Sequence, residues 1–574
     1  MRNEELVAIF EEVADLIEIQ GGQPFRVNSY RRAARAIKNL TEPLDDIMAR
    51  GELSKIDGIG KSTAAKIEEF SKSGKVALHR ELLSEMPEGL PALLKIPGMG
   101  PKKVSMAWKE LKVTNLAELQ EAIRSGALAK LKGMGEKSVK QIAEGIAFVE
   151  KAGERTALGL ALPLAEELAE SLRAVRSVRR VEIGGSVRRG CETIGDLDLL
   201  CESDDGERVV KAFTQLPQVR RVLAAGDTKG SVIVERRDGG EMQADCRVVP
   251  AESFGAALQY FTGSKEHNVR LRERAAKKNW KLNEWGLFDG DRRLAGEDEA
   301  GIYKKLGLSL MPPETREDRG EFDADAIDQL IRLEDIRGDF HMHTTASDGK
   351  SEPRELADAA RDLGYEYIAI TDHSRSSAVA NGLSLDRMWR QIERIRELNR
   401  KYDSVAILIG CECDILSDGK LDYPDSILSA CDVVVASVHS ALRQERRKIT
   451  DRVLAAMDNP YVTIVGHPTG RLINRRAAMD LDMKRLIEHA AATHTALELN
   501  AAWQRLDLSA HHARMARDAG VMLSIDTDAH SVAQLAQMRY GIMTARRGWL
   551  RAADVLNTRP LAAVRMWIKK KRKA

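Results

Sequence analysis

The sequence predicts a multidomain protein with an all-α N-terminal region, a mixed α+β middle region and a C-terminal α/β barrel. Three observations support this prediction. Apolar residues near the N-terminus recur at three- and four-residue spacing. A central stretch combines glycines, arginines and alternating aspartates, and beyond about residue 335 apolar runs that end in histidine or acid alternate with helix-like stretches. At 574 residues the chain is long enough for several domains.

The composition is that of an ordinary globular protein. Hydrophobic residues make up 43% and charged residues 31%, and the formal net charge is only +2. The net charge therefore does not indicate a nucleic-acid-binding protein, and any such evidence has to come from local motifs. The 6 cysteines form no Cys-x-x-Cys pair, which favours a reducing cytosol. No apolar run reaches membrane-spanning length, so we expect no membrane association.

A short pattern with two glycines occurs in three copies in the helical first 150 residues, at Ile56–Lys61, Ile96–Pro101 and Leu131–Glu136. Paired glycines permit a tight turn into a helix N-terminus, where unpaired N–H groups suit an anion. The pattern resembles the helix-hairpin-helix motif, which grips nucleic-acid phosphates without reading sequence. A simple turn between packed helices is the alternative, above all for the third copy, where Glu136 replaces Lys61. The resemblance implies DNA contacts at Gly58, Gly60, Gly98, Gly100, Gly133 and Gly135.

The central stretch Gly184–Leu200 has the residues that phosphoryl transfer requires. Asp196 and Asp198 alternate with leucines, so in a strand both carboxylates point to one face. Upstream, Gly185–Ser186 can bring backbone N–H groups close to a phosphate, and the two arginines that follow add positive charge. Paired carboxylates beside a phosphate cradle suit two cations that bridge nucleophile and leaving oxygen. For an Asp-x-Asp pair alone, a buried strand with an acidic edge turn is the alternative.

The whole string resembles the Gly-Ser…Asp-x-Asp signature of the nucleotidyltransferase superfamily, in the form found in family X DNA polymerases. That family needs a third carboxylate on a neighbouring strand, which the resemblance assigns to Asp245. Tyr260–Ser264 resembles the nucleotide-pocket motif of the family, although Lys265 stands where polymerase beta has an aspartate that touches the incoming base. The resemblance implies Mg²⁺ or Mn²⁺ on Asp196, Asp198 and Asp245, and a nucleotide site formed by Gly185, Ser186, Arg189, Gly195, Tyr260, Phe261, Gly263, Asn268 and Arg272.

Residues 25–75 resemble the small lyase domain of polymerase beta. Tyr30–Ala34 matches a phosphate-contacting stretch there, and Lys66 falls where that family has its Schiff-base lysine. A lysine nucleophile needs an amine deprotonated by burial or by neighbouring cations. Ser62 replaces another lysine of that pocket, so a lysine that is solvated or meets a DNA phosphate is an equal alternative.

The C-terminal part contains 10 of the 12 histidines, all after residue 340. Polar residues at the ends of successive strands that alternate with helices indicate an α/β barrel with its site on that face. Imidazole and carboxylate together suit Zn²⁺, Mn²⁺ or Fe²⁺. The set resembles the polymerase and histidinol phosphatase (PHP) domain, which binds a three-metal cluster of Mn²⁺ or Zn²⁺ and hydrolyses phosphate esters. The resemblance assigns as ligands His341, His343, Asp348, His373, Glu412, His439, His467, Asp528 and His530.

The resemblance covers nearly the whole chain and implies six segments. They are a lyase-like helical domain (1–80), a fingers-like domain with two helix-hairpin-helix motifs (81–150), a nucleotidyltransferase palm (151–255), a thumb (256–312), a linker (313–334) and a PHP domain (335–574).

The function that the resemblance implies is DNA-directed synthesis that fills short gaps in base excision repair, together with a metal-dependent 3'-5' exonuclease or AP endonuclease in the barrel. Gapped or primed DNA and dNTPs are the expected partners of a monomer at the nucleoid in the cytoplasm. One alternative is a polymerase whose barrel is purely structural. Another is a nucleotidyltransferase for RNA or small molecules with a phosphatase barrel.

Overall fold

The computed structural model describes residues 3–573 apart from 39–43, 57, 88, 95, 97, 137, 141, 144, 145, 147–154, 325, 326 and 328. The chain divides into two compact units. One comprises Met1–Gly153 with the short segments Ala346–Asp348 and His373–Arg390, and the other comprises Glu154–Thr345, Gly349–Asp372 and Gln391–Ala574. The predicted boundary between residues 150 and 151 lies outside the described residues, as do parts of the predicted linker. So do parts of 137–146, where the sequence predicts a helix after the third glycine pair.

The N-terminal unit is helical, as the sequence predicts. Leu6, Phe10, Val13 and Ile17 recur along one face of its first helix and are buried. Phe10 also meets Tyr30 of the second helix edge to face, with ring centroids 5.6 Å apart. The helices are α1 (Asn3–Gln20), α2 (Pro24–Lys38), α3 (Leu44–Ala49), α4 (Lys61–Ser73), α5 (Ala77–Ser84), α6 (Leu90–Leu93), α7 (Pro101–Leu111) and α8 (Leu116–Arg124).

The second unit begins with a five-stranded sheet in the order β2-β4-β7-β6-β5. Its central pair, β4 and β7, is parallel and places Asp198 opposite Asp245. Apolar runs at 178–184, 197–201, 231–236 and 242–249 predict β2, β4, β6 and β7 to within two residues, but the sequence prediction misses β5. The elements are β1 (Thr156–Ala157), α9 (Leu158–Arg173), β2 (Arg180–Ile183), α10 (Gly185–Arg188), β3 (Thr193–Ile194), β4 (Asp196–Glu202), α11 (Gly206–Thr214), β5 (Val219–Ala225), β6 (Lys229–Glu235) and β7 (Glu241–Val249).

The predicted thumb combines helices with a small antiparallel sheet of three strands that the sequence does not reveal. Its own apolar cluster includes Leu271, Leu287 and Tyr303, all of which are buried. The elements are α12 (Phe254–Thr262), α13 (Lys265–Ala276), β8 (Lys281–Asn283), β9 (Gly286–Asp289), β10 (Arg292–Ala295) and α14 (Glu299–Lys305).

Several described residues of the segment 313–334, which the sequence predicts to be a linker, are packed against their neighbours. Thr315, Arg316 and Glu321 are each 1% exposed. Glu321 accepts hydrogen bonds from the backbone N–H groups of Asp318 and Arg319, both at 2.7 Å, and pairs with His267 at 2.7 Å. Some of the carboxylates that make this segment acidic therefore hold it to neighbouring parts of the chain, and the linker assignment stays a prediction.

The C-terminal part is a barrel of seven parallel strands that neighbour one another in chain order. A bridge between Met342 and Ala529 brings the first and last strands together, so the sheet is nearly closed. Barrel strands are β11 (Gly338–Asp339), β12 (Tyr367–Ile370), β13 (Ala406–Asp414), β14 (Val433–Ser437), β15 (Ile464–Val465), β16 (Ala496–Asn500) and β17 (Leu523–Asp526).

Helices separate the barrel strands, and the last one packs into the barrel core. Val564, Trp567 and Ile568 of that helix join a buried cluster with Phe340 and Leu408 from the strands. The helices are α15 (Pro353–Asp362), α16 (Leu385–Lys401), α17 (Asp425–Leu428), α18 (Arg446–Met457), α19 (Met483–Ala492), α20 (Ala510–Asp518), α21 (Met538–Arg547) and α22 (Leu561–Lys571).

The five-stranded sheet and the barrel share a hydrophobic core. Leu506 and Tyr540 of the barrel belong to the same buried cluster as Leu158 and Val187 of the sheet region. A bidentate ion pair between Arg471 and Glu192, at 2.9 and 2.7 Å, joins the same two parts. They therefore form one packed body within the second unit. Among the described residues, no helix combines the length and the apolar character needed to cross a membrane.

Candidate active sites and DNA-contacting turns

The three carboxylates predicted to bind metal in the palm meet on one face of the sheet, on its central pair of strands. Asp198 and Asp245 lie opposite each other on parallel strands, so their side chains share a face, and Asp196 lies two residues before Asp198 on that face. Burial and then the charges of Asp196 and Asp245 raise the pKa of Asp198 to about 7. Carboxylates that crowd so closely fit a site for divalent cations, which relieve their mutual repulsion.

Asp245 has further partners that the sequence does not predict, Lys229 and Gln243 among them. Lys229 places its Nζ 3.1 Å from Asp245 Oδ2, and Gln243 donates from Nε2 to Oδ1 at 2.9 Å. Burial alone would raise the pKa of Asp245, but these hydrogen bonds and the lysine charge lower it. The third carboxylate is therefore ionised and held in place from the neighbouring strand.

The glycine turn before the carboxylates is pressed against them. Gly184 donates its N–H to the carbonyl of Asp198 at 2.8 Å. Gly185 has φ +62°, and a Cβ at this position would lie 2.3 Å from Asp198 Oδ2. Only glycine fits there, because both the backbone conformation and the close approach exclude a side chain. The helical turn α10 contains Ser186 as well, and Gly195 lies just before β4.

The two arginines of this turn hold the palm to the predicted thumb. Arg188 makes a bidentate ion pair with Glu299 at 2.9 and 2.8 Å and donates to Thr262 Oγ1 at 2.9 Å. Arg189 donates from Nη1 to the carbonyl of Thr262 at 2.7 Å and from Nε to Glu317 Oε1 at 3.3 Å. Both guanidinium groups, which the sequence predicts to face phosphate, thus have protein partners in this structure.

The predicted nucleotide-pocket motif lies at the end of α12. Tyr260 and Phe261 pack edge to face with ring centroids 5.1 Å apart. Asn268 donates from Nδ2 to the carbonyls of Tyr260, at 2.7 Å, and Gly263, at 3.2 Å, so its amide shapes the turn between the two helices. Arg272 is exposed on α13.

In the barrel, the predicted metal ligands converge at the carboxyl ends of the strands. Their ligand atoms form three overlapping groups, and within each group all atoms lie within 4.8 Å of one another. His467 joins them through its Nε2, 2.9 Å from Glu412 Oε1. Three overlapping groups suit the predicted three-metal cluster. The groups are His343, Asp348, His373 and His530; His341, His343 and Asp528; and His373, Glu412 and His439.

His341 shows how this cluster is prepared for cations. Its Nδ1 lies 2.6 Å from Glu498 Oε1, while its Nε2 faces Glu412 Oε2 at 3.5 Å and Asp528 Oδ1 at 3.6 Å. A histidine that donates one ring N–H to a carboxylate presents the other nitrogen as a ligand. Burial alone would lower the pKa of His341, but the carboxylates Glu498, Asp528 and Glu412 raise it well above the ordinary value.

His439 is held in the same way on the opposite side of Glu412. Its Nδ1 lies 2.5 Å from Asp414 Oδ1 and its Nε2 lies 3.2 Å from Glu412 Oε1. Burial opposes protonation here too, but Glu412 and Asp414 raise the pKa of His439 to about 9. The donor set of imidazoles oriented by carboxylates fits Zn²⁺ or Mn²⁺.

The three glycine-paired turns of the N-terminal unit have the same backbone geometry. In each, the backbone N–H of the fourth motif residue donates to the carbonyl of the first at 3.0 Å and closes a turn. These donors are Ile59, Met99 and Met134. The first glycine of each pair, Gly58, Gly98 or Gly133, has φ between +83° and +94°. Gly60 and Gly100 are the N-cap residues of α4 and α7, and a Cβ at Gly60, Gly100 or Gly135 would meet nothing within 4 Å. These open helix N-termini suit phosphate oxygens.

Four protein-family descriptions match the chain. They are a helix-hairpin-helix domain over residues 1–76, a SAM-like helix-hairpin-helix tandem over 90–147, the DNA polymerase beta thumb over 257–317, and the PHP domain over 339–502. The thumb match extends into the segment predicted as a linker. Over 578 residues the chain is 40% identical to the DNA polymerase/3'-5' exonuclease PolX of Bacillus subtilis (strain 168), covering 99% of this chain and 100% of that protein.

The chain belongs to the PolX family. Its barrel also resembles shorter proteins named "Probable phosphatase". One from Thermoanaerobacter sp. (strain X514) is 26% identical over 246 residues, which is 41% of this chain and 95% of that protein. Another from Shewanella sediminis (strain HAW-EB3) is 27% identical over 234 residues, which is 39% of this chain and 90% of that protein.

In this PolX family member, the sequence does not reveal the residues that orient the predicted ligands. Glu498 and Asp414 position His341 and His439, and Lys229 holds Asp245. Arg505 is also absent from the predicted set, although its Nε lies 3.5 Å from Asp528 Oδ2. An acid within a strand, two residues from a predicted ligand, is the one signal that could have identified Asp414.

Lys66, the predicted lyase nucleophile, is half-buried on α4. Ser62, on the same helix as Lys66, forms a side-chain hydrogen bond with Tyr30 of α2. Burial raises the pKa of Tyr30. The lyase assignment of Lys66 stays a prediction.

Proposed function

We propose that this protein fills short gaps in DNA with its palm and trims 3' ends with its barrel. The observation that carries the proposal is the presence, in a chain of the PolX family, of two separate clusters of side chains that could bind metal ions. One is the carboxylate trio Asp196, Asp198 and Asp245, and the other is the histidine-rich cluster of the barrel. The substrates are gapped or primed duplex DNA and dNTPs, and the setting is base excision repair in the bacterial cytoplasm, at the nucleoid.

For synthesis, the palm residues provide a rigid platform. Divalent cations bound there, Mg²⁺ or Mn²⁺, would supply Lewis acidity at both ends of the phosphoryl transfer. Asp198 and Asp245 are set on neighbouring strands, and Gly185 lets the backbone N–H groups of α10 approach a triphosphate. Tyr260 and Phe261 resemble the family X motif in which the backbone around this pair crowds the sugar 2' position, and from this resemblance we infer a preference for deoxynucleotides.

For hydrolysis, the barrel residues would hold a three-metal cluster of Mn²⁺ or Zn²⁺, which when bound would activate water toward a phosphodiester. Glu498 and Asp414 keep His341 and His439 in ligand orientation. His341, His343 and Glu412 are each at most 1% exposed, so the site is shielded and its charges act in a low dielectric. We expect Mn²⁺ to support hydrolysis better than Mg²⁺, because imidazole ligands disfavour the harder ion.

The experiment uses the full-length protein on a gapped duplex with a labelled primer, one dNTP and Mn²⁺. The Asp198→Ala variant should lose nucleotide addition by roughly a thousandfold and keep hydrolysis and DNA binding. The double variant His341→Ala and His343→Ala should do the reverse. Hydrolysis by the double-histidine variant at the wild-type rate, with contaminating nuclease excluded, would leave the barrel a structural element.

Two further arms test the alternatives. Equal incorporation of ribonucleotides and deoxynucleotides would favour an RNA-directed enzyme. Hydrolysis of small phosphate esters without hydrolysis of DNA would favour a phosphatase barrel. An abasic-site duplex distinguishes exonuclease from AP endonuclease, and borohydride trapping on that duplex with Lys66→Ala as the control tests the lyase prediction.

A further inference from the structure

We propose that Arg547, a residue of the barrel, is a positioning residue for nucleotide addition in the palm. The inference rests on the proposed polymerase function. Arg547 is the last residue of α21 and is 9% exposed. Its side chain contacts the turn Gly184–Arg189, which the triphosphate is expected to approach. A barrel side chain therefore supports the polymerase site.

A continuous series of contacts leads from the barrel to the nucleotide pocket. Arg547 donates from Nη2 to Glu317 Oε2 at 2.8 Å and from Nη1 to the carbonyl of Arg189 at 2.9 Å. Glu317 in turn accepts from Arg189 Nε at 3.3 Å. Arg189 then donates to the carbonyl of Thr262, at the end of the helix that bears Tyr260 and Phe261. Every member is largely shielded from water, so each bond is stronger than its exposed counterpart.

The packing around this series is tight enough to make it rigid. Gly190, the residue after the arginine pair, has φ +64°, and a Cβ there would lie 3.0 Å from Cβ of Met543 on α21. Arg547 Nη1 also lies 3.3 Å from Cys191 Sγ. Glu317 is held from a second side by Arg319 at 2.8 Å. The barrel helix thus packs against Gly190 at the end of the turn, whereas Asp198 lies against Gly185 at its start.

Loss of the Arg547 side chain should displace the turn but leave the three palm carboxylates in place. Without the Arg547 guanidinium, Glu317 loses a charged partner and the carbonyl of Arg189 loses its donor, so the turn loosens. Asp196, Asp198 and Asp245 lie on the sheet and keep their places. Nucleotide binding should therefore weaken while the chemical step, once the nucleotide is bound, proceeds at nearly the wild-type rate.

The test measures single-nucleotide addition to a gapped duplex at varied dNTP concentration with the full-length protein. Arg547→Met should raise KM for the dNTP about tenfold and change kcat by less than about twofold. Arg539→Met is the matched control. Arg539 is on the same helix and also joins barrel to palm, through Glu166 at 3.1 Å, but it lies away from the turn. We expect its KM to equal that of the wild type.

Three further measurements separate positioning from general damage. Nuclease activity of Arg547→Met should be unchanged, since no predicted barrel ligand contacts this arginine. Arg547→Lys should restore part of the lost affinity, because it keeps the charge beside Glu317. Glu317→Gln should raise KM similarly, and the double variant should be no worse than either single one, because both changes break the same connection.

Equal KM values for Arg547→Met and Arg539→Met would overturn the inference, and so would a loss confined to kcat. If Arg547→Met does not fold, Arg547→Lys and Glu317→Gln decide the question by the same comparison. A wild-type protein that adds no nucleotide would instead refute the proposed polymerase function, so the two failures are distinguishable.

Discussion

At the scale of single residues, Glu299 shows how two arginines can stabilise the ionised form of a carboxylate that is largely shielded from water. Burial opposes its ionisation, but the hydrogen bonds and charges of Arg188 and Arg316 outweigh this and lower its pKa to about 2. A shift from 4.5 corresponds to about 3 kcal/mol of folding stability at neutral pH. Because the folded pKa is depressed, that stability is present above pH 4.5 and is lost as pH falls toward 2.

We therefore predict that Glu299→Gln lowers the free energy of unfolding by a few kcal/mol at pH 7, and that the difference from wild type shrinks steadily below pH 4.5. Denaturant titrations at several pH values provide the measurement. Glu297→Gln, an exposed neighbour, is the control. A pH-independent difference would mean that shape and packing, and not ionisation, make Glu299 important.

Gly100 offers a clean test of phosphate contact by the N-terminal turns. Its φ of −76° is accessible to alanine, and an added Cβ would meet nothing within 4 Å. Gly100→Ala should leave the free protein as stable as wild type and weaken gapped-DNA binding roughly fivefold on unrelated sequences, because a methyl group would occupy the space before the helix N-terminus. Fluorescence anisotropy with two unrelated duplexes measures this.

Gly98 is the wrong position for that experiment, since its φ of +93° would strain any other residue. Unchanged binding by Gly100→Ala, together with unchanged binding by Gly60→Ala, would mean that these turns only connect packed helices. A change for one duplex alone would contradict backbone recognition.

The sequence could predict which aspartates and histidines lie together, because they and the glycines occur in short motifs. Their supporting partners could not be predicted, because those lie far away along the chain. Glu498 is 157 residues from His341, and Lys229 reaches Asp245 from a neighbouring strand. Such pairs depend on strand order, which no local pattern of residues encodes.

At the scale of elements, α22 shows how much one helix contributes to the barrel. Trp567 is 7% exposed and stacks on His494, with ring centroids 4.9 Å apart, whereas the preceding Met566 is 67% exposed. Trp567→Ala should destabilise the barrel by about 3 kcal/mol, since it removes a large buried side chain. Met566→Ala should have no comparable effect. Thermal inactivation of the nuclease measures both, and equal stability of the two variants would contradict the packing.

The position and length of each strand explain whether the sequence reveals it. β4 and β7 are central strands, so their apolar residues either alternate with polar ones or form continuous runs. The sequence prediction finds both strands to within two residues. β5 lies at the sheet edge and is exposed along most of its length, so its residues show no hydrophobic alternation. Strands β8 to β10 are only three or four residues long, too short for any periodicity to appear.

At the scale of the whole molecule, palm and barrel are joined by apolar packing as well as by ion pairs. Leu506 and Tyr540 lie in the palm core, and Trp503 packs closely against Gly159. We predict that a chain ending at residue 334 aggregates, because the palm would expose the surface that these side chains cover. Solubility and light scattering measure this outcome. A monomeric, active truncated polymerase would show that the shared core is dispensable.

The shared core also sets the order in which this protein can mature on the ribosome. A chain usually folds domain by domain from its N-terminus as it is synthesised. Here Leu158 and Val187 are made early, but their partners Leu506 and Tyr540 emerge only when most of the 574 residues have been translated. At about 5–20 residues per second, the nascent palm waits tens of seconds with an apolar face uncovered. Nascent chains of this length should be clients of ribosome-associated chaperones until the barrel arrives.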